Sequence, residues 1–457
     1  MTAPQPPATP HRRWASLAEG DREQLRQLFV DALALASAGT ASTDAARVLG
    51  GLAALGTGEV PVPWTGLRLG APQAVAALST LIHAWDFDDT HDEAVVHTAS
   101  VVVPTALAAA AIGRVGGTGV ADGIVTGVQV LSRLARLTGP RPGVIRTAGL
   151  GAPAAAATAA AVWGLTDAQV EHAMALSLTS ALAPGTRQAV VDGSVAKRIQ
   201  PGLAAQVGLS AAALAAQGVE GPSGWLCGEF GLAPGSSARC EDLFLGDFEG
   251  RFLALKPFPA CRYTHAALAA AEQLQAADPD WAGVQQVTAH LPQGPAYALV
   301  ARPYADRGAP LVDAQFSLPW QLAALWVTGR YDLTTLHGGD LGRDDIARAT
   351  DRITVVQDLP PSAVMSGARV DLLRTDGTTA SAQAAMPGGP GQRVTRRDLG
   401  RKVASCLQVG EVEDPAATAA ALWSFADELP DLDADALQAA LARCTSQSLA
   451  APAPASP

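Results

Sequence analysis

Apolar positions recur three and four residues apart through most of the first 256 residues, with glycine-rich breaks between the runs. This spacing places apolar side chains on one face of a helix. The predicted helices span 20–38, 70–87, 104–114, 119–138, 151–164, 167–182 and 203–217. Thr166 and Gln169 form a capping-box pattern at the start of the sixth of these helices. The first half of the chain is therefore expected to be helical throughout.

The spacing changes in the second half of the chain, where β-branched residues alternate with polar ones. The predicted segments are a helix at 265–277, strands at 284–292 and 352–358, a hairpin at 368–385, and helices at 395–408, 415–428 and 433–443. Asp376 and Gly377 occupy the turn of the hairpin. A smaller α+β unit is therefore expected within an otherwise helical chain.

We predict a mainly α fold, in which a large all-helical domain is accompanied by a smaller α+β lid domain inserted before the C-terminal helices. A cleft between two such units is a common place for a ligand. The predicted boundaries are a helical domain at 14–262, a lid domain at 263–392, and C-terminal helices at 393–447 that return to the helical domain. The proline-rich ends, 1–13 and 448–457, are expected to be disordered tails.

Composition and charge narrow the class of function. The 457 residues carry a net charge of -11, which disfavours nucleic acid and anionic membranes as partners. Five cysteines without CxxC spacing indicate reduced thiols. No secretory signal is recognised in the first residues, and the apolar run at 99–112 is shorter than the ~20 residues of a membrane span. We therefore expect a cytoplasmic protein.

The segment HAWDFDDTHDEAVVH, which begins at His83, concentrates carboxylates and histidines among apolar residues. On the helix predicted there, His83, Asp86 and Thr90 share one face. Asp89 lies beside them and Asp88 points away. A solvated helix end would show the same polar stripe. No metal is assigned, because a hard cation needs oxygen ligands from several segments and no others are indicated.

Two later segments place cations next to predicted loops. DGSVAKRIQPG carries Lys197 and Arg198 between a Gly-Ser turn and a Pro-Gly break. KPFPACRYTHAA carries Lys256 and His265 around a loop with two prolines. Any one such lysine is more often a surface charge than a ligand. A functional interpretation therefore depends on these segments taken together.

Taken together, these segments resemble the MmgE/PrpD family, whose members include 2-methylcitrate dehydratase, cis-aconitate decarboxylase and iminodisuccinate epimerase. The resemblance also rests on RTAGLGAPAAAATAAAVWGL (146–165) and AQFSLPWQLAALWVTG (314–329), and it runs over most of the chain. It implies a helical domain with an α+β lid, a homodimer, and chemistry without a cofactor on small di- or tricarboxylic acids. The positions that match the family's active-site pattern are Asp86, Thr90, His97, Lys197, Lys256 and His265.

The chemistry implied by the resemblance is proton transfer at a carbon next to a carboxylate, which needs an acid or base of suitable pKa and cations that stabilise an enolate-like charge. Histidine titrates near the working pH, so His97 is expected to be the general acid/base. Asp86 and Thr90 are expected to orient it or to bind a substrate hydroxyl. Lys197 and Lys256 are expected to bind carboxylates, and Lys197 could itself be the base if burial lowers its pKa. His265 and Asp89 are further candidates for substrate binding.

The chain also departs from the family pattern at three positions. Ile145 stands where a histidine is usual, Gln200 stands where another histidine is frequent, and Trp320 replaces a frequent tyrosine. These changes make the expected substrate site less cationic and more apolar. Arg146 would provide a guanidinium that can bind a substrate carboxylate if its side chain turned inward.

Three functions remain open from the sequence. A lyase acting on a small polycarboxylic acid predicts that His97, Lys197 and Lys256 converge on one small pocket. A relative that dehydrates, isomerises or cyclises a larger, more apolar substrate predicts a wider pocket, lined by Ile145 and Trp320, with few cations. A non-catalytic binding or structural homologue predicts that the polar stripe is splayed or filled by side chains.

Overall fold

The computed structural model describes residues 13–181, 185–277, 283–362 and 365–445. It is 58% helical with 9% strand, which confirms the mainly α prediction. The helices are α1 Glu19–Gly39, α2 Thr43–Ala53, α3 Ala71–His83, α4 Ala99–Gly113, α5 Gly117–Thr138, α6 Arg146–Val162, α7 Asp167–Ala181, α8 Gln188–Val191, α9 Ala196–Ala216, α10 His265–Ala277, α11 Pro295–Val300, α12 Pro310–Gln315, α13 Leu318–Thr328, α14 Leu333–His337, α15 Asp344–Thr350, α16 Arg396–Val409, α17 Pro415–Glu428 and α18 Ala434–Thr445.

The strands form one four-stranded sheet and two short pairs. They are β1 Val60–Pro61, β2 Arg68–Leu69, β3 Thr90–His91, β4 Leu253–Ala254, β5 Val284–Pro292, β6 Ile353–Leu359, β7 Ala368–Arg374 and β8 Thr379–Ala384. The larger sheet has the order β6-β5-β7-β8, with β5 parallel to β6 and antiparallel to β7. The predicted hairpin is β7–β8, and Gly377 adopts a φ of 86° in its turn.

The helices of the first half pack closely because small residues lie at their crossings. At the crossing of α6 and α9, a Cβ atom on Gly208 would collide with the carbonyl of Ala152 and lie 2.5 Å from the Cβ of Ala155. The abundance of alanine and glycine is therefore a packing requirement. By length and composition α9 could cross a membrane, but half of it is buried inside the protein.

The helix predicted at 70–87 is wrong beyond His83. The chain leaves α3 there, Asp86 adopts a left-handed φ of 49°, and β3 begins at Thr90 and pairs with β4. Asp88 is fully buried and does not point away as predicted. Helical spacing cannot distinguish a buried loop from a helix, because both keep apolar side chains inside.

Helices α4, α6 and α9 begin earlier than predicted. The helices that were not predicted include α2, α8, α11, α12, α14 and α15. The prediction began α9 at residue 203, since Pro201 was expected to break a helix, but Pro201 lies within it. Lys197 and Arg198 therefore belong to the first turn of α9 and not to a loop. Helix α4 likewise contains Pro104 in its interior and begins at residue 99.

The C-terminal helices pack against α1. The rings of Phe29 and Phe425 meet edge to face at 5.3 Å, and the Lys402 ammonium lies 2.9 Å from Asp31 Oδ2. The predicted domain boundaries and the lid role of the sheet unit stay predictions. The tails predicted at 1–13 and 448–457 fall outside the described residues, except for Arg13.

Candidate active site

A cavity of about 240 Å³ lies where α6, α9, α11 and the two loop segments around Asp86 and Lys256 meet. This volume is below the roughly 300–1,000 Å³ of sites for drug-sized ligands, and it suits a small metabolite. Its lining residues are Asp86, Thr90, Val95, His97, Pro140, Arg141, Val144, Ile145, Arg146, Thr147, Arg187, Val190, Lys197, Lys256, Cys261, Arg262, Tyr263, Pro295, Ala296, Leu299, Phe316 and Met365.

Asp86 lies at the centre of a buried group of cations. Its Oδ1 atom is 3.4 Å from Lys197 Nζ, 3.5 Å from Lys256 Nζ and 3.8 Å from Arg198 Nη1. Burial acts to raise the pKa of Asp86, but Lys197, Lys256 and Arg198 together hold it well below its usual value. Asp86 is therefore a carboxylate, and the group around it keeps a surplus of positive charge.

Lys197 connects this group to a histidine. Its Nζ contacts His83 Nε2 as well as Asp86, and burial lowers the pKa of Lys197, opposed by Asp86. His83 Nδ1 lies 2.9 Å from both carboxylate oxygens of Asp88. A carboxylate only accepts and an ammonium only donates, so His83 carries its proton on Nδ1. Burial lowers the pKa of His83 to about 3, which keeps the ring neutral.

His97 faces the cavity with one edge and Asp88 with the other. Its Nδ1 atom is buried without a hydrogen-bond partner among the described residues and lies at an ion-pair distance of 3.4 Å from Asp88 Oδ1, while its Nε2 lies 4.0 Å from Asp86 Oδ1. The His97 backbone N–H donates to Thr147 Oγ1 at 3.0 Å. The carboxylate nearest the imidazole is thus Asp88, and not Asp86 as the sequence predicted. Asp88 favours the tautomer that leaves Nε2 as a base.

Thr90 belongs to a second chain of contacts at the cavity wall. Its hydroxyl donates to Asp92 Oδ1 at 3.0 Å, and Asp92 receives two hydrogen bonds from Arg262, at 2.9 Å from Nε and 2.7 Å from Nη2. Arg262 is buried and lines the cavity. The structure therefore gives no contact in which Thr90 orients His97. The Thr90 hydroxyl remains available as an acceptor toward the cavity.

Two residues predicted to bind substrate instead support the local fold. Asp89 accepts from Thr98 N–H, Thr98 Oγ1–H and Ala99 N–H at 3.1, 2.7 and 2.8 Å, so it caps the N-terminus of α4. His265 is fully buried, with Nε2 at 3.2 Å from the Ala260 carbonyl. Neither lines the cavity. These interpretations correct the sequence prediction, which could not tell which polar groups the backbone uses.

Gln200 and Trp320 also lie away from the cavity lining. Gln200 Nε2 donates to the Thr186 carbonyl at 2.8 Å, and Trp320 is buried beside the rings of Tyr304 and Tyr331. Ile145, by contrast, lines the cavity and precedes α6. Of the three departures from the family pattern, only Ile145 changes the cavity surface directly.

Arg146 turns inward and is joined by arginines that the sequence did not single out. Its Nη1 donates to the Ala94 carbonyl at 2.6 Å, and the side chain lines the cavity. Arg141, Arg187 and Arg262 also line it. Together with the two lysines they are six cations, against the one carboxylate of Asp86 among the described lining residues. The lining also contains apolar residues, among them Leu299.

The ligand atoms of His83, Asp86, Asp88 and His97 lie within 4.8 Å of one another and could in principle hold a metal ion. The donor set does not fit one well. Lys197 Nζ contacts His83 Nε2, and Asp86 faces cations from α9 and from Lys256. A divalent cation there would be repelled by these ammonium groups. The cluster is better suited to an anion next to it.

Family models match most of the chain. The MmgE/PrpD N-terminal domain matches residues 11–239, and the MmgE/PrpD C-terminal domain matches residues 258–424. The chain belongs to the MmgE/PrpD family. This confirms the resemblance seen in the sequence, and the cavity-lining residues other than Lys256 lie within the two matched ranges.

Two curated relatives are decarboxylases by name. The chain is 28% identical over 374 residues to the cis-aconitate decarboxylase-like protein oryM of Aspergillus oryzae, which covers 74% of this chain and 76% of that protein. It is 31% identical over 243 residues to cis-aconitate decarboxylase of Aspergillus terreus, which covers 47% of this chain and 48% of that protein. The match to the second relative thus spans about half of either chain.

The sequence prediction assigned no role in the site to Asp88, Arg198, Arg141 or Arg187, because the contacts of these residues depend on how the chain folds. Arg198 approaches Asp86 only because α9 begins before it, and Arg141 and Arg187 reach the cavity from segments that carry no motif. The sequence did offer one signal for Asp88, since it lies five residues after His83 in a segment that also contains Ala84, Trp85 and Phe87. A buried carboxylate with a histidine so near in sequence is more often paired than solvated.

Proposed function

We propose that this protein is a lyase of the MmgE/PrpD family that moves a proton at the carbon next to a carboxylate of a small di- or tricarboxylic acid. One observation carries the proposal: His97, Lys197 and Lys256 line the same small cavity, together with four arginines. The polycarboxylate hypothesis required this convergence. A cavity with six cations and one carboxylate favours a ligand with several negative charges.

In this mechanism, the substrate carboxylates bind to Lys197, Lys256 and Arg146. Neutral His97 takes a proton through Nε2 from the carbon next to one carboxylate, while Asp88 stabilises the imidazolium that forms. The electron pair from the broken C–H bond moves toward that carboxylate as an enolate-like charge, which the lysine ammonium groups stabilise. The electron pair of the enolate then forms a carbon–carbon double bond as the hydroxyl group on the next carbon leaves, and protonated His97 donates its proton to that hydroxyl, which departs as water.

Decarboxylation would use the same residues in another order. A carboxylate leaves as carbon dioxide, the electrons of the broken C–C bond remain on carbon, and protonated His97 supplies a proton to that carbon. Both reactions build negative charge at one place in the cavity, beside Lys197 and Lys256. The names of the curated relatives favour decarboxylation over dehydration.

A second candidate is a larger acid with an apolar part. The observation that favours it is that apolar residues share the cavity lining with the cations, namely Val144, Ile145, Val190, Leu299 and Met365. This candidate had also required few cations and a contact with Trp320, and the cavity lacks that contact among the described residues. A polycarboxylic acid with an apolar substituent could contact both the cations and the apolar residues of the lining. The non-catalytic candidate has the least support, because side chains do not fill the cavity and its polar residues lie close together.

The test uses purified protein in deuterated buffer with cis-aconitate, citrate and both 2-methylcitrate diastereomers, followed by proton NMR. Deuterium incorporation or turnover that is lost in His97→Ala and kept in His172→Ala would support the proposal. His172 is a suitable control because its Nδ1 accepts from Gly221 N–H, away from the cavity lining. If the unaltered protein neither exchanges nor converts any of these acids, they are excluded as substrates, and the larger acid with an apolar substituent is favoured.

We also propose that the protein is a homodimer of a reducing, cytoplasmic compartment. Helix α9 exposes Leu203 and Leu214 on a surface whose other exposed residues carry no charge, which is typical of a surface covered by another chain. None of the five cysteines, all of which lie in the described part of the chain, forms a disulfide bond. Sedimentation velocity with Leu214→Glu tests the dimer: a monomeric variant from a dimeric parent would support this surface.

A further inference from the structure

The backbone of the loop that follows α3 is held by side chains from three remote segments. The Trp85 carbonyl accepts from Gln315 Nε2 at the end of α12, and the Asp86 carbonyl accepts from Lys256 Nζ at 2.7 Å. The Phe87 carbonyl accepts from Lys402 Nζ, also at 2.7 Å. Three consecutive carbonyls thus depend on side chains 170 or more residues away. Backbone geometry alone would not fix this loop.

Of the three donors, Lys256 lines the cavity, whereas Gln315 and Lys402 lie outside its lining. Lys402 belongs to α16, its ammonium lies 4.0 Å over the ring of Phe87, and its side chain is 8% exposed. Asp31 of α1, itself buried, holds the ammonium with Oδ2 at 2.9 Å. The Phe87 carbonyl is flanked by Asp86 and Asp88, which face the two edges of His97.

We propose that Lys402 is a positioning residue, which sets the places of the Asp86 and Asp88 carboxylates by holding the Phe87 carbonyl between them. The role rests on the proposed function for its effect on turnover, but its effect on the loop does not. Asp86 has a left-handed φ of 49°, so the loop conformation is not one that the chain favours by itself. Without the ammonium, the Phe87 carbonyl loses its hydrogen-bond partner, and the Asp86 and Asp88 carboxylates lose their fixed positions relative to His97.

The consequence for catalysis is a loss of rate more than a loss of binding. Lys197, Arg146 and the other cavity cations remain in place when Lys402 is changed, so substrate binding is largely kept. The base and the carboxylate that orients it move relative to the reacting carbon, and a displacement of about 1 Å can cost roughly 100-fold in rate. An ordinary loss of stability would not separate kcat from KM in this way.

The experiment compares Lys402→Met with Arg401→Met, a change one residue away at a side chain that is 74% exposed and pairs with Asp398. Amide hydrogen exchange of the peptide 84–91 is measured with kcat and KM on the acid that the unaltered protein converts. We expect faster exchange and a roughly 10- to 100-fold lower kcat, with a smaller change in KM, in Lys402→Met alone. Lys402→Gln keeps an N–H donor and should lie between the two, which covers the case in which the methionine variant does not fold.

Equal exchange in the two methionine variants, or an unchanged kcat in Lys402→Met, would overturn the positioning role. If the unaltered protein converts no acid but exchange still accelerates only in Lys402→Met, the proposed function fails and the positioning of the loop stands. The two proposals are therefore distinguished by one set of samples.

Discussion

Asp88 Oδ1 lies 3.4 Å from Nδ1 of His97, on the buried side of the imidazole ring. Burial acts to raise the pKa of Asp88, but His83 and His97 hold it well below its usual value, so Asp88 is ionised. An ionised carboxylate behind a histidine fixes the ring tautomer and stabilises the protonated ring. The pair therefore makes His97, which also lines the cavity, the group best placed to exchange a proton with a substrate.

Asp88→Asn tests this relationship. An amide can still hold His83 through its oxygen, but it neither stabilises an imidazolium at His97 nor fixes one tautomer. We expect kcat to fall by roughly 100-fold or more with a smaller change in KM, measured by steady-state kinetics. Asp371→Asn is the matched control, because Asp371 lies 2.9 Å from His290 on the four-stranded sheet. A kcat of Asp88→Asn equal to that of the control would remove Asp88 from the mechanism.

Two buried groups with opposite pKa shifts should set the dependence of stability on pH. The pKa of His83 falls from 6.5 to about 3 on folding, so the unfolded chain binds the proton first and the free energy of unfolding decreases as pH falls through that interval. Burial raises the pKa of Asp31 from 3.8 to about 6, so there the folded protein binds the proton first. Between about pH 6 and 3.8 the two effects oppose each other.

Asp31→Asn removes one of these two effects. As the pH falls from about 6 to 4, we expect the free energy of unfolding of the variant to decrease by about 1.4 kcal/mol more per pH unit than that of the unaltered protein. Urea unfolding at a series of pH values provides the measurement, and only the difference between the two curves is used, because other carboxylates contribute equally to both. Parallel curves would show that Asp31 does not titrate in this range in the folded protein.

The apolar residues that line the cavity lead to a prediction about an apolar group on the substrate. Leu299 on α11 lines the cavity together with the cations. If the substrate carries an apolar group, Leu299→Ala should raise KM for that acid by roughly 10-fold. KM for an acid without the group should change little, which makes the second acid the control. Equal effects on both acids would indicate that the variant disturbs the cavity as a whole.

The sequence predicted the elements well and the contacts between them poorly. Helical spacing correctly indicated α1 and α5, and alternation indicated β5 and β7, since these patterns depend on which face is buried. The pairing of Asp88 with His97 and the reach of Lys402 to Phe87 depend on chain segments that meet only in the fold. Helical spacing also misassigned the loop after His83, where a buried polar network replaces a helix and leaves the same apolar pattern.

Asp89 separates a structural carboxylate from a catalytic one within the same loop. Its oxygens satisfy three buried donors of Thr98 and Ala99, so Asp89→Ala should lower the free energy of unfolding by about 1–3 kcal/mol. The folded variant should keep the kcat and KM of the unaltered protein, because Asp89 does not line the cavity. Thermal unfolding and steady-state kinetics on the same samples provide the measurement. An increased KM at unchanged stability would instead make Asp89 a ligand of the substrate, as the sequence first predicted.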